Sequence, residues 1–311
     1  MLRILVTGGA GFIGTHLVNK LSLDSDVFVI DNLTNERSRS NAESFSGKHI
    51  TLYQEDIRNK EKLAEIMRDC KADSCIHLAA LISVPDSMIN PFRTFDVNVT
   101  GTLNILESCV ENSIKRFVFA SSAAVYGHVN DVPIREQVSV HPISPYGASK
   151  LAAEEIVNAY GDLNLFESII TLRFFNVYGI GQSVEYAGVI TKFRDRIVEN
   201  LAPIIFGDGN QQRDFVAVDD VVNSLIIASH PPNGLAKGNF NIGTGVPTKI
   251  SDLARVMSIL MGKPKLVPIY KEKVDGDILV SYADIRKATN ILKFCARVEL
   301  SGGLQAFLSS S

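Results

Sequence analysis

The chain predicts an α/β protein in which a doubly wound parallel sheet is joined to a smaller α/β lobe, and three observations predict it. Short apolar runs alternate with helically spaced segments through the first half, and strands joined by helical crossovers form a parallel sheet covered on both faces. The first run passes through a glycine turn, Thr7-Gly8-Gly9-Ala10-Gly11-Phe12-Ile13-Gly14, directly into a helix. The second run ends in Asp31, twenty residues after Gly11.

Ile4-Leu5-Val6 is the first strand, and Thr15 to Leu23, apolar at Leu17, Val18 and Leu21, is its helix. Gly8 lets the chain turn, Gly11 lets a pyrophosphate approach bare backbone, and Gly14 lets helix and strand pack closely. The helix that opens near Phe12 and Ile13 points its N-terminal N–H groups at the phosphates. Val27 to Ile30 is the second strand. A carboxylate after it accepts from both ribose hydroxyls and repels a 2′-phosphate, and no arginine lies in the following Asn32-Leu33-Thr34-Asn35. NAD is therefore expected over NADP; a capping or turn role for Asp31 is the alternative.

Ile50 to Tyr53 is the third strand, followed by Glu55-Asp56-Ile57-Arg58 and a helix from Lys60 to Cys70. Asp56 either accepts from the adenine amino group, with Ile57 on the ring, or caps that helix. The fourth strand, Ser74 to Leu78, runs into Ala79-Ala80, small enough for the nicotinamide-side ribose and phosphate to pass. His77 within it reads as a satisfied core histidine. A long helix from Phe92 to Asn112 precedes the fifth strand, Arg116 to Ala120, and Ser168 to Phe174 extends the sheet. Beyond it come a helix over Ala187 to Asn200, a short strand at Ile204-Ile205-Phe206, a helix over Asp219 to Ser229, a strand over Asn239 to Ile242, and a helix over Ser251 to Met261 stopped by Gly262. The expected division is a dinucleotide-binding domain over 1–173 and a substrate lobe over 174–311, with part of 214–243 packing back on the large domain.

A 311-residue chain, 46% hydrophobic and 21% charged, can bury a sizeable core. Its net charge of -3 gives no footprint for nucleic acid or an anionic membrane surface, so a small-molecule partner is expected. No apolar stretch reaches a membrane span and the first strand starts at once, which points to a cytoplasmic protein. The four cysteines, Cys70, Cys75, Cys109 and Cys295, have neither metal spacing nor a dense disulfide pattern; free thiols and no metal are expected.

The fifth strand delivers Ser121-Ser122 to the carboxyl edge of the sheet, and a later turn carries Tyr146-Gly147-Ala148-Ser149-Lys150 into a helix. Tyrosine and lysine four apart share one helical face. An ammonium beside a phenol favours phenolate, so the Tyr146 pKa is expected to fall toward the working pH, as a general base requires. The Ser122 hydroxyl completes the set. Alone, such a pair is common on surfaces; beside a dinucleotide turn and a polar strand end it reads as catalytic.

The chain resembles the extended short-chain dehydrogenases/reductases of the NAD-dependent epimerase/dehydratase family, with a Rossmann domain, and is most similar to the UDP-hexose 4-epimerases. The resemblance runs from Leu2 to about Asn290 and rests on the glycine turn, His77-Leu78-Ala79-Ala80, Asn98-Val99-Thr100-Gly101-Thr102, Ser121 to Gly127, Ser144-Pro145-Tyr146-Gly147-Ala148-Ser149-Lys150, Arg173-Phe174-Phe175-Asn176 and Arg213-Asp214-Phe215. It implies cofactor contacts from Asp31, Asn32, Asp56, Ile57, Leu78, Ala79, Ala80, Asn98, Ser121, Tyr146, Lys150 and Phe175. It implies substrate contacts from Ser83, Ser122, Asn176, Gly188, Val189, Phe206, Arg213, Asp277 and Ser281. Arg213 suits a diphosphate through its two-pronged fork, while Phe206 offers a base an aromatic face or else belongs to the core. Relatives carry an arginine where this chain has Val274; the second diphosphate clamp is then Lys273 or absent.

The activity implied is inversion at C4 of a UDP-sugar, with a homodimer formed through the helices near 92–112 and after Tyr146. A 4,6-dehydratase needs further acids, and Ala123 and Ala124 cannot move protons; a non-catalytic NAD-binding regulator is the third reading. Ser281 stands where epimerases of narrow range have a tyrosine, so N-acetylated sugars are expected to fit unless Tyr282 fills that wall.

Overall fold

The computed structural model describes residues 1–45, 49–182, 188–274 and 276–309. In the first half the strands are β1 (Leu2–Thr7), β2 (Ser25–Asp31), β3 (Ile50–Gln54), β4 (Ser74–His77), β5 (Arg116–Ser122) and β6 (Ser168–Phe174). The helices between them are α1 (Phe12–Leu21), α2 (Glu36–Glu43), α3 (Lys60–Cys70), α4 (Val84–Ile89), α5 (Pro91–Phe95), α6 (Gly101–Glu111) and α7 (Pro145–Asp162). Then follow β7 (Asn176–Tyr178), α8 (Val189–Val198), β8 (Ile204–Phe206), β9 (Gln212–Ala217), α9 (Val218–Ser229), β10 (Lys237–Ile242), β11 (Pro247–Lys249), α10 (Ile250–Leu260), β12 (Ile269–Lys271), β13 (Val280–Ser281) and α11 (Leu300–Ser309).

Seven strands form one parallel sheet in the order β10-β6-β5-β4-β1-β2-β3. One core fills the face of α1 and α9, around Val6, Val18, Val118 and Leu225; a second lies under α3, α6 and α7, around Leu5, Leu63, Ile105 and Val157. The chain builds β1, β2 and β3 in one direction and then crosses to β4 on the other side of β1. The carboxyl ends of β1 and β4 diverge at that reversal, which is where open α/β sheets hold ligands. The smaller lobe is a short sheet, β11-β9-β13 with β7 also on β9, and the pair β12-β8, packed on α8, α10 and α11 around Phe193, Phe215, Met257 and Phe307.

Two departures from expectation bear on the site. The helix expected over 92–112 is α5 and α6 joined by a π-helical turn, Asp96–Thr100, and such turns gather at functional positions. The helix expected from Ala187 starts at Val189 with Gly188 before it; Ala187 lies outside the described residues. Helix α9 packs on α1, and β10 pairs with β6 over Lys237 to Ile242.

Candidate active site

A cleft of about 1010 Å³ opens over the diverging ends of β1 and β4. Gly8, Gly11, Phe12, Ile13, Gly14, Asp31, Asn32, Asp56, Ile57, Leu78, Ala79 and Ala80 line one half. Ser83, Ser121, Ser122, Tyr146, Lys150, Phe175, Asn176, Gly188 and Val189 line the other. Gly8 has φ +68° and a Cβ there would stand 2.7 Å from the Ala79 nitrogen; a Cβ on Gly14 would stand 2.2 Å from the Gly8 carbonyl oxygen. The turn and close helix packing therefore demand glycine at both. Helix α1 starts after Gly11 without a side-chain cap, leaving its first N–H groups toward the cleft.

The Asp31 carboxylate accepts from the Ala10 amide and the Leu33 amide, each at 3.0 Å. Burial raises its pKa, and those two bonds oppose the rise. Asp56 does not cap α3: Asn59 does, its side chain accepting from the Lys62 amide. Arg58 instead forks onto Asp56 at 2.9 Å through Nε and Nη2, Asn32 donates to it at 3.1 Å, and the Arg58 hydrogen bonds bring its pKa to about 2. Asn98 lies buried behind the wall. Its side chain accepts from Leu81 N at 2.7 Å and donates to Leu81 O and to Ser149 Oγ, each at 2.9 Å.

Ser122 ends β5, its Oγ accepting from the Ala124 amide at 3.1 Å. Ser144 caps α7 by accepting from Gly147 N at 3.1 Å, with Pro145 in the first turn, so Tyr146 enters at the helix start and Lys150 follows one turn later. Ser87 on α4 accepts from Tyr146 N at 3.1 Å. Lys150 Nζ donates to the Ala120 carbonyl at 2.8 Å and lies 5.0 Å over the Phe119 ring.

The expected fall of the Tyr146 pKa is corrected. Burial raises it, the Ser122 hydrogen bond opposes the rise, and the nearby ammonium is directed at Ala120. Burial brings Lys150 itself down to about 8, with Glu154 acting the other way. Glu154, unremarked in the sequence, is fully buried and accepts from Ser121 Oγ and from Arg173 Nη2 at 2.6 Å. No local signal marked it, because both partners lie on strands, β5 and β6. Arg37 also lines the cleft, from the unforeseen helix α2.

Phe206, Arg213, Asp277 and Ser281 stand apart from this wall, in the smaller lobe. Phe206 is 48% exposed at the end of β8. Arg213 Nη2 donates to Asp277 Oδ1 at 2.7 Å, and burial lowers the Arg213 pKa while Asp277 opposes. Ser281 is buried beside Arg213 in the β13–β9 register. The segment is pinned by Asp214, which accepts from Thr244 N at 2.8 Å, Gly245 N at 2.9 Å and Ala283 N at 3.1 Å. The stem of Lys273 packs near Gly207. Among the described residues no cluster of metal-ligating side chains forms, and no helix is long and apolar enough to cross a membrane.

Residues 4–243 match the model of the NAD dependent epimerase/dehydratase family. A Methanocaldococcus jannaschii protein described provisionally as a UDP-glucose 4-epimerase is 41% identical over 305 residues, 97% of this chain and 96% of the relative. The structure of UDP-N-acetylglucosamine 4-epimerase from Methanobrevibacter ruminantium, in complex with UDP-N-acetylmuramic acid, matches with TM-score 0.92 and 32% identity over 99% of this chain and 97% of that one. The structure of UDP-glucose 4-epimerase from Thermotoga maritima with UDP-glucose matches with TM-score 0.88 and 34% identity, covering 98% and 97%.

Proposed function

The chain belongs to the NAD dependent epimerase/dehydratase family, and from that footing we propose that it is a UDP-hexose 4-epimerase that interconverts UDP-glucose and UDP-galactose and also accepts their N-acetylated counterparts. The observation that carries this reading is the convergence of Ser122, Tyr146 and Lys150 on the cleft that the glycine turn and Asp31 also line.

The cleft fits NAD on its own features. Glycines leave bare backbone where a pyrophosphate would lie, the start of α1 offers uncapped N–H groups, and the Asp31 carboxylate is held in place with lone pairs to spare for a ribose. When bound, NAD supplies the hydride acceptor and donor that let C4 be oxidised and then reduced from its other face. As its phenolate, the form that burial opposes, Tyr146 would take the proton of the 4-hydroxyl and later return it, with Ser122 Oγ hydrogen-bonding the same oxygen. Lys150, one turn after Tyr146, holds its ammonium on the Ala120 carbonyl at the same end of the cleft. Ala123 and Ala124 offer no acid that could expel a second hydroxyl. Arg213 binds the diphosphate and Phe206 the base, anchoring the nucleotide while the sugar turns.

Acceptance of acetamido sugars rests on Ser281, whose small side chain leaves room where a phenol would stand. The Methanobrevibacter relative, an epimerase of UDP-N-acetylglucosamine, supports this reading. Incubation with UDP-galactose and no added reductant is expected to yield UDP-glucose; a deoxy-keto product, or none, overturns the assignment. Ser281→Tyr is expected to abolish turnover of the UDP-GlcNAc/UDP-GalNAc pair and spare the other. Equal loss of kcat/KM on both pairs would remove Ser281 from the argument.

A further inference from the structure

His77 is 1% exposed at the end of β4, behind the cleft, and the reaction above does not use it. Its neighbours fix where its proton lies. Thr102 Oγ1 is 2.6 Å from the Asn98 carbonyl oxygen, a separation at which two oxygens need a proton between them, so the Thr102 hydroxyl donates there. At His77 Nε2, 2.9 Å away, Thr102 can then only accept, and the ring proton sits on Nε2. Nδ1 accepts from Thr7 Oγ1 at 2.6 Å, and that hydroxyl in turn accepts from the Ala79 amide at 3.3 Å.

Burial, with the Lys150 charge adding, brings the ring to about 3, so it stays neutral near pH 7. The chain continues beyond Asn98. Its side chain grips Leu81 at both backbone atoms and donates to Ser149 Oγ, which donates to the Tyr146 carbonyl at 2.7 Å. One run of hydrogen bonds thus joins the loop Ala79-Ala80-Leu81 to the first turn of α7.

We propose that His77 is a positioning residue: a neutral ring with its proton on Nε2 that sets the height of the Ala79-Ala80-Leu81 loop against the dinucleotide and ties that loop to the helix carrying Tyr146. The inference rests on reading the cleft as the NAD site. It divides the run into two arms. The Thr7 arm governs how tightly NAD is held, and the Thr102 arm governs how Tyr146 is presented.

The test is the NAD dissociation constant, kcat and apoprotein melting temperature of paired variants. Thr7→Val is expected to weaken NAD about ten-fold while kcat at saturating NAD falls about two-fold or less, and Thr7→Ser, which keeps the hydroxyl, restores binding. His77→Asn keeps an acceptor near Nδ1 and is expected to hold NAD while losing kcat; His77→Gln keeps a donor near Nε2 and is expected to do the reverse. Unchanged NAD affinity in Thr7→Val, or losses in the Val and Ser variants that merely track melting temperature, overturn the proposal. Should the His77 variants fail to fold, the Thr7 pair decides it alone. Wild-type protein that binds no NAD, or an Asp31→Ala variant that binds it equally well, would instead defeat the reading of the cleft.

Discussion

Tyr146 and Lys150 share a helical face, and burial acts on them in opposite senses, raising the phenol and lowering the ammonium. With Tyr146 as the proposed base, Tyr146→Phe is expected to lower kcat by about 10²- to 10⁴-fold while NAD stays bound. A near-normal rate with NAD in place would remove it as the base. For Lys150 the sign follows from its depressed value. In the proposed role the ammonium is the working form; it is lost as pH rises through about 8, so activity is expected to decline above that pH, where an unperturbed lysine would hold its proton to about 10. The groups facing it are Glu154, which favours the charge, and His77, which is neutral there. A profile of kcat/KM flat to about pH 10 would contradict this.

Helix α2 shows how little of an element can lie in its own sequence. Glu36-Arg37-Ser38-Arg39-Ser40-Asn41-Ala42-Glu43 has no apolar stripe, and only Ser38 is buried, so its start depends on Asn35, whose side chain accepts from Ser38 N at 2.8 Å. Asn41 then donates to the Ala10 carbonyl in the glycine turn at 2.8 Å. Asn35→Ala is expected to cost about 1 kcal/mol of local stability, visible as faster amide exchange in α2, and to weaken NAD measurably. Unaltered exchange there would show the cap to be dispensable. Apolar runs such as Val27 to Ile30 made the large sheet legible, and α3 and β6 begin and end where their patterns predict. Strand β9 was hidden because it opens with Gln212, Arg213 and Asp214, and β11, β12 and β13 are too short to carry a pattern without their partners. Within the site, the glycine turn, Asp31 and the Tyr146–Lys150 pair are local in sequence and could be read. Glu154 could not, because its surroundings come from Ser121 on β5 and Arg173 on β6.

At the scale of the whole molecule, the largest exposed apolar side chains near α7 are Ile89 at 83% and Phe92 at 82%, on helices that pack beside it. Leu103, Ile156 and Tyr160 are half-buried on α6 and α7. Two copies are expected to pair there by two-fold symmetry, burying these residues in a four-helix contact. Light scattering should give the mass of two 34.0 kDa chains, and Phe92→Asp with Leu103→Glu should give one; a wild-type monomer at micromolar concentration would contradict the pairing. The seventh strand of the sheet also places a constraint on synthesis. Six strands are translated by Phe174, yet the outer edge of β6 receives its neighbour only when Lys237 to Ile242 has been made, after β7, α8, β8 and β9. A nascent chain on the ribosome therefore carries the open edge of β6 from residue 174 until residue 242 is made, and keeping elongating chains apart over that interval protects this protein from edge-to-edge pairing.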